Sequence, residues 1–464
     1  MMNKTRKILI VSAFLMTLAT TVVGQTIPEK PQQRDARMAW WREARFGMFV
    51  HWGLYSGLAG SWKEKQVAKH GGMEWLQFRV KAESEEYAKE ATPHFKPKKG
   101  FATHWAKLAK QAGCKYIVFT SKHHDGFSLH DSKTTTFDAK DLVDRDLCKE
   151  IVEACRAEGL KVGFYHSVID WHHPQYDYKK AEGLPHPLNG KESPNGARDH
   201  SKYVDYLHQQ VEELMTGYGE VDIVWWDYSK PNAQGPFWRA DDLMKMVRKH
   251  QPHIVSNNRL FKTGKLKESD KKLATWRPEL GDFTTPEQHI PSTGLAGVDW
   301  EVCMTMNTTW GYSKHDQAWK SDTKLIHNLV DAVSKGGNYL LNIGPKGDGS
   351  IPDPSVKSME AIGRWMKVNG QSIYGTQASP FDKPKWGRFT SGDGIIYAHV
   401  FQWPTDAKLK IALGDMEISR AYLLADKETN LSLSLSEGEL VIDLPEEAPD
   451  SIASVIAIAL KKEE

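Results

Sequence analysis

The chain has 464 residues, 40% of them apolar, and a formal net charge of +2. It is too apolar to be disordered, longer than one ordinary core, and too balanced in charge for the broad basic face of a nucleic-acid binder. Its 17 tryptophans offer flat aromatic faces that suit sugar rings as well as cores.

The first element is a processing signal. Lys4, Arg6 and Lys7 precede the apolar run "ILIVSAFLMTLATTVV", and small residues end it at Gly24. The run is short and no stop-transfer charges follow, which predicts an exported protein, periplasmic or secreted after cleavage near Gly24, with no membrane span. Four cysteines remain: Cys114, Cys148, Cys155 and Cys303. Cys148 and Cys155 lie two helical turns apart, roughly 10 Å, which is too far for a bridge. With no CxxC pair and no zinc spacing, all four read as buried thiols.

The strand "FGMFVHWG" opens a series near residue 46. From about residue 100 a unit then repeats, an amphipathic helix followed by an apolar strand. "HWAKLAKQAG" leads into "CKYIVFTS", "LCKEIVEACRAEG" into "LKVGFYHS", and "YVDYLHQQVEELMTGYG" into "VDIVWWD". "DLMKMVRKHQP" leads into "HIVSNN" and "KLIHNLVDAVSKGG" into "NYLLNIG". Gly113, Gly159 and Gly336 sit where helices need a left-handed stop. Continuously apolar strands imply a parallel sheet covered by helices. No GxGxxG or GxxxxGK[ST] loop occurs, and the length suits a closed barrel. The predicted fold is therefore α/β, a (β/α)8-like (TIM-type) barrel over 25–370 after a signal peptide at 1–24. Beyond 370 the segments "DGIIYAHVF", "KLKIALG", "SRAYLLAD", "LSLSLSEGELVIDL" and "SIASVIAIAL" predict a C-terminal antiparallel β-sandwich, 371–464. Two polar loops, 172–200 and the Lys/Arg-rich 261–280, are expected over the barrel mouth.

His51, His123, Tyr165, Asp227 and Arg259 each fall at or just past a strand's C-terminal end, so in a barrel they converge on one rim. His123 and His124 are adjacent. Neighbours in a strand point to opposite faces, and neither HxH nor HExxH occurs, which argues against a metal site. The cluster Asp170, His172, His173 is the better local candidate for metal. Asp227 ends a strand of four apolar residues, a costly place for an acid unless partners surround it, and one that suits a nucleophile. A glycosidase needs a second carboxyl group, and Glu287, Glu301 and Glu74 are all candidates that spacing does not separate.

The set "FGMFVHWGLYS", "SKHHDGF", "GFYHS", "VWWD", "TPEQ", "TTWGYS" and "GGNYLLNIGPKGDGSI" resembles the α-L-fucosidases of glycoside hydrolase family 29, in order, from residue 40 to about 375. The resemblance implies a barrel with a sandwich, retaining exo-hydrolysis of fucosylated oligosaccharides or glycoconjugates, and no cofactor or metal. It implies Asp227 as nucleophile and Glu287 as acid/base, with Glu74 the alternative. Sugar contacts are implied for His51, Glu74, Trp75, His123, His124, Tyr165, Trp225, Arg259 and Trp310. Tyr228 departs from the glycine that many members carry after the nucleophile. A catalytically silent fucose-binding barrel and a metal-dependent hydrolase are the competing readings. Neutral imidazoles donate at one nitrogen and accept at the other, which suits the hydroxyls of fucose.

Overall fold

The computed structural model describes residues 29–67, 71–189, 197–261, 281–295, 297–412, 414, 416–436 and 439–461. The expected signal segment, nearly all of the 261–280 loop and part of the 172–200 loop lie outside them.

Seven parallel strands form the first sheet: β1 (Phe46–Val50), β2 (Tyr116–Lys122), β3 (Lys161–Ser167), β4 (Ile223–Asp227), β5 (Val255–Ser256), β6 (Glu301–Thr305) and β7 (Asn338–Ile343). Their order is β5-β4-β3-β2-β1-β7-β6. The sheet is TIM-like and curls so that its edges face each other. The gap between β5 and β6 is spanned by residues 282–287, which make only isolated parallel bridges: Asn257 with Phe283, Thr284 with Trp300, and Glu287 with Cys303. The barrel thus has an irregular eighth stave.

The helices form where the apolar spacing predicts. In Phe101–Ala112 the buried residues Phe101, Trp105, Leu108, Ala109 and Ala112 make one stripe against the sheet. Gly113 ends that helix at φ 90°, and a Cβ there would sit 2.6 Å from the Tyr374 hydroxyl. Gly159 and Gly336 likewise have positive φ. Helix α1 (Pro31–Ala44), which the repeat did not reveal, plugs the N-terminal end of the barrel. Its Met38 and Trp41 pack into the interior with Phe49, Tyr116, Tyr165 and Trp225. The floor beneath the mouth is therefore solid.

The C-terminal region has a five-stranded and a three-stranded antiparallel sheet. They share a core that includes Phe389, Ile396 and Ile458 from one and Leu409, Leu440 and Ile442 from the other. The expected strands are present, and Gly387–Gly392 and Asp426–Asn430 add two more. The sandwich packs on the barrel, where Trp365 Nε1 donates to the Ala453 carbonyl at 2.8 Å. No described helix is long and apolar enough to cross a membrane. All four cysteines are free and buried, as their spacing predicts.

The packing makes acid the expected weak point. Burial pushes five fully enclosed histidines down: His51 to about 4, His399 to about 3, and His123, His124 and His166 well below the usual imidazole range. Unfolded imidazoles titrate near 6.5. Below that pH the unfolded chain gains protons the fold refuses, so stability present above about 6.5 is lost as pH falls toward 4. Glu74, Asp125 and Glu301, each raised to about 7 by burial, act in the opposite direction. Half-buried His173 and buried His186, lowered to about 4 and about 3, add to the larger set. The melting temperature should drop continuously from pH 7 to pH 4.5. A flat profile over that range would contradict this balance.

Candidate active site

A cavity of about 480 Å³ opens at the C-terminal ends of the strands. All eleven residues to which the resemblance gives a role line it. Asp227 is the last residue of β4, and its side chain is only 16% exposed. Its Oδ1 accepts from Arg259 Nη1 at 2.6 Å and its Oδ2 from the Tyr165 hydroxyl at 2.7 Å. His124 Nε2 lies 3.8 Å from Oδ2. Burial alone would raise this carboxyl, but the Arg259 charge and these hydrogen bonds outweigh it and hold Asp227 below the usual carboxylate range. The costly placement of an acid after four apolar residues is thus compensated on both oxygens.

Arg259 follows β5 and is shared. Its Nη2 reaches Glu287 Oε2 at 2.9 Å, and its Nε donates to Thr285 Oγ1 at 2.7 Å. Burial works against its charge, but Asp227 and Glu287 more than restore it. Its guanidinium lies 4.4 Å from the centre of the Trp225 ring, a cation–π contact that fixes its plane. One arginine therefore spaces two carboxyl groups. Glu287 is the more open of the two at 33% exposed, at the top of the irregular stave.

The histidines stand on the other side. His51, just past β1, pairs through Nδ1 with Asn342 Oδ1 at 2.7 Å. His124 Nδ1 meets Ser167 Oγ at 2.7 Å, while His123 Nδ1 has no partner. Burial keeps all three neutral at pH 7, so each ring has one donor and one acceptor nitrogen, and His51 and His124, with Nδ1 already engaged, present Nε2. Tyr165 stacks on His123 at 5.3 Å and on Trp225 at 5.7 Å. Trp75 meets His124 edge-on at 5.0 Å, and Trp310 lies 5.0 Å from His51. Glu74 accepts from the Gly311 backbone at 3.2 Å and is raised to about 7, chiefly by burial.

Several expectations change. His123 and His124 do not point apart, because β2 ends at Lys122 and both lie in the turn beyond it, with ring centroids 4.0 Å apart. With Asp227 they present ligand atoms within 4.8 Å of one another. A cation there would have to share Asp227 with Arg259. Glu301 is not at the cavity. It is enclosed in the barrel interior, where the Tyr116 hydroxyl and, at 3.2 Å, Trp225 Nε1 donate to it. The Asp170 cluster is a structural knot. Asp170 accepts from the His172 and His173 backbones at 2.9 and 2.8 Å and pairs with buried Lys122 at 3.0 Å.

Phe49, Cys303, Ser229, Lys230 and Pro231 also line the cavity and were not anticipated. Nor were the hydrogen-bond partners Ser167, Asn342 and Thr285. Asn342, a polar residue inside the apolar "NYLLNIG", carried a readable signal. Tyr228 lines the cavity at φ 72°, a left-handed conformation in which a bulky residue is an outlier.

The Alpha-L-fucosidase family model matches residues 16–371. Over 444 residues the chain is 27% identical to the tissue alpha-L-fucosidase of Rattus norvegicus, covering 91% of this chain and 89% of that protein. Among solved structures, alpha-L-fucosidase isoenzyme 1 from Paenibacillus thiaminolyticus is 37% identical with a TM-score of 0.83, covering 92% of this chain and 100% of the other. A GH29 alpha-L-fucosidase from Bacteroides thetaiotaomicron is 29% identical with a TM-score of 0.80, covering 92% and 97%. The family match spans most of the chain and the solved structures superpose over more than nine-tenths of it, and the chain belongs to the α-L-fucosidase family of glycoside hydrolases, family 29.

Proposed function

We propose that this protein is a retaining exo-α-L-fucosidase, with Asp227 as nucleophile and Glu287 as acid/base, acting on terminal fucose of oligosaccharides or glycoconjugates. The observation that carries the reading is Arg259, which holds Asp227 at 2.6 Å and Glu287 at 2.9 Å. In the first step an Asp227 oxygen bonds to the anomeric carbon as the glycosidic C–O bond breaks. Glu287 gives its proton to the departing oxygen. In the second step Glu287 takes a proton from water, the water oxygen bonds to the anomeric carbon, and Asp227 leaves as carboxylate.

The Bacteroides thetaiotaomicron fucosidase was solved as a trapped covalent intermediate with 2-fluoro-fucosyl fluoride, using a glutamate-to-glutamine mutant. That precedent supports double displacement with a glutamate partner here. The solid floor supports exo action, since a glycan chain has no exit below. Neutral His51, His123 and His124 match sugar hydroxyls, and Phe49, Trp225 and Trp310 offer apolar faces for the methyl group. Export through the 1–24 signal would bring such an enzyme to extracellular glycans.

The test is aryl α-L-fucoside hydrolysis with and without chelator, with the first-formed anomer read by NMR. Retention and chelator insensitivity are expected. No turnover would favour a silent sugar binder, and chelator inhibition would reassign His123, His124 and Asp227 to a metal. His123→Ala and His124→Ala should each cost about 1–3 kcal/mol of transition-state binding, roughly 5- to 150-fold in kcat/KM. Added zinc should not repair either loss.

A further inference from the structure

The stave that carries Glu287 is the one without a regular ladder. Residues 282–287 pair with β5 and β6 through isolated bridges and scattered backbone hydrogen bonds, such as Asp282 N to the Ser256 carbonyl at 2.6 Å, Glu301 N to the Thr284 carbonyl at 2.9 Å and Cys303 N to the Pro286 carbonyl at 3.1 Å, so buried side chains reinforce a register that regular pairing gives the other strands. They do so at its foot. Asp282 is fully buried, and its carboxylate accepts from Arg37 Nη1 at 2.8 Å, Arg37 Nη2 at 2.7 Å, Arg248 Nη2 at 3.2 Å and the Ser256 backbone at 2.8 Å. Arg37 comes from α1, at the end of the barrel away from the cavity. It also donates to the Ile254 carbonyl at 2.9 Å and pairs with both oxygens of Glu29 at 2.7 Å. The clamp therefore ties the plug helix, the start of β5 and the foot of the stave into one unit.

Glu287 lies five positions after Asp282, at most about 17 Å of chain. Between them Phe283 stacks on Trp41 of α1 at 4.6 Å and Thr285 accepts from Arg259 in the cavity. The backbone bonds from Thr284 and Pro286 to β6 lie on the same short segment, so a shift at the foot strains the bonds that hold the top. Catalytic groups must be held within roughly 0.5 Å, and a misplacement of about 1 Å costs on the order of 100-fold. We infer that Arg37 is a positioning residue for Glu287, acting through the buried Asp282 clamp to set the height of the stave. The inference rests on Glu287 being the acid/base. It assigns Arg37 no contact with substrate.

A clamp that serves only stability would slow all substrates alike. A clamp that sets Glu287 would slow most those substrates whose leaving group needs a proton. The full-length variants Arg37→Gln and Asp282→Asn should be compared with wild type in two assays. One is kcat on a fucosyl disaccharide, whose leaving alkoxide needs protonation. The other is the pre-steady-state release of fluoride from α-L-fucosyl fluoride, which leaves without it. Both variants should slow the disaccharide at least tenfold more than the fluoride step. Arg388→Gln, which breaks a distant pair with Asp331, is the control. It should lower the melting temperature and leave the ratio unchanged. If Arg37→Gln does not fold, Asp282→Asn, which keeps one acceptor oxygen, carries the comparison. An unchanged ratio in a folded clamp variant, or the same change in Arg388→Gln, overturns the proposal. Glu287→Ala in the same assays separates the two layers. If it too shows no leaving-group dependence, the acid/base assignment fails; if it alone shows the dependence, the clamp fails.

Discussion

Asp227→Ala is expected to cut turnover by on the order of 10⁴-fold or more, the scale of loss when a covalent nucleophile is removed. Azide should restore part of it. The anion fits the space the carboxylate vacates beside Arg259 and attacks the anomeric carbon from the same side. The product is then β-fucosyl azide, formed by one displacement with inversion. Asp227 is not the exposed rim acid that its position at a strand end suggests. It accepts from Arg259 and Tyr165, so alanine leaves two buried donors short of a partner at about 1–3 kcal/mol each. A melting curve must accompany the kinetics, and Asp227→Asn, which keeps an acceptor, serves as the second variant. Turnover like that of wild type in a folded Asp227→Ala protein would remove Asp227 as nucleophile.

Glu287→Ala should discriminate among substrates. A fucosyl glycan leaves as an alkoxide and needs a proton in the transition state. Its first step should slow by about 10²–10⁴-fold, the usual worth of general acid catalysis. An activated aryl fucoside needs little help, so its first step should be nearly unaffected. Its second step should then limit, because no base remains to take the proton of water. A burst of phenol followed by slow turnover, with fucosyl enzyme accumulating, is the expected trace. Glu74→Ala is the comparison. Glu74 is enclosed, is bonded to the Gly311 backbone and is raised to about 7, so it can also hold a proton in the cavity. Its open rival Glu287 is preferred for its bond to the arginine that holds Asp227. If Glu74→Ala gave the burst and Glu287→Ala did not, the acid/base would be Glu74.

The barrel was readable because its helices keep a 3.6-residue stripe and its strands run apolar from end to end, as in Phe101–Ala112 and Tyr116–Lys122. The rim residues were readable because a polar residue at the end of such a strand has one place to go. What escaped lies where periodicity says nothing. The stave 282–287, "DFTTPE", has neither alternation nor an apolar run and contains Pro286. It acts as a strand because β5 and β6 leave it a gap, lend it backbone partners on both sides, and Asp282 anchors it. Glu301, one of three candidate acids that spacing does not separate, begins β6 rather than ending it, so it faces the interior beneath the cavity. The adjacent histidines were misjudged for the same kind of reason. Opposite-face alternation holds only inside a strand, and β2 stops one residue before them.

The most direct test of the account is to trap the intermediate. The Glu287→Ala protein, incubated with 2-fluoro-fucosyl fluoride, quenched and digested, should yield one peptide heavier by a single 2-fluorofucosyl group. Fragmentation should place that mass on Asp227. A label on another carboxylate, or no label while an active enzyme releases the β-anomer first, would contradict double displacement through Asp227.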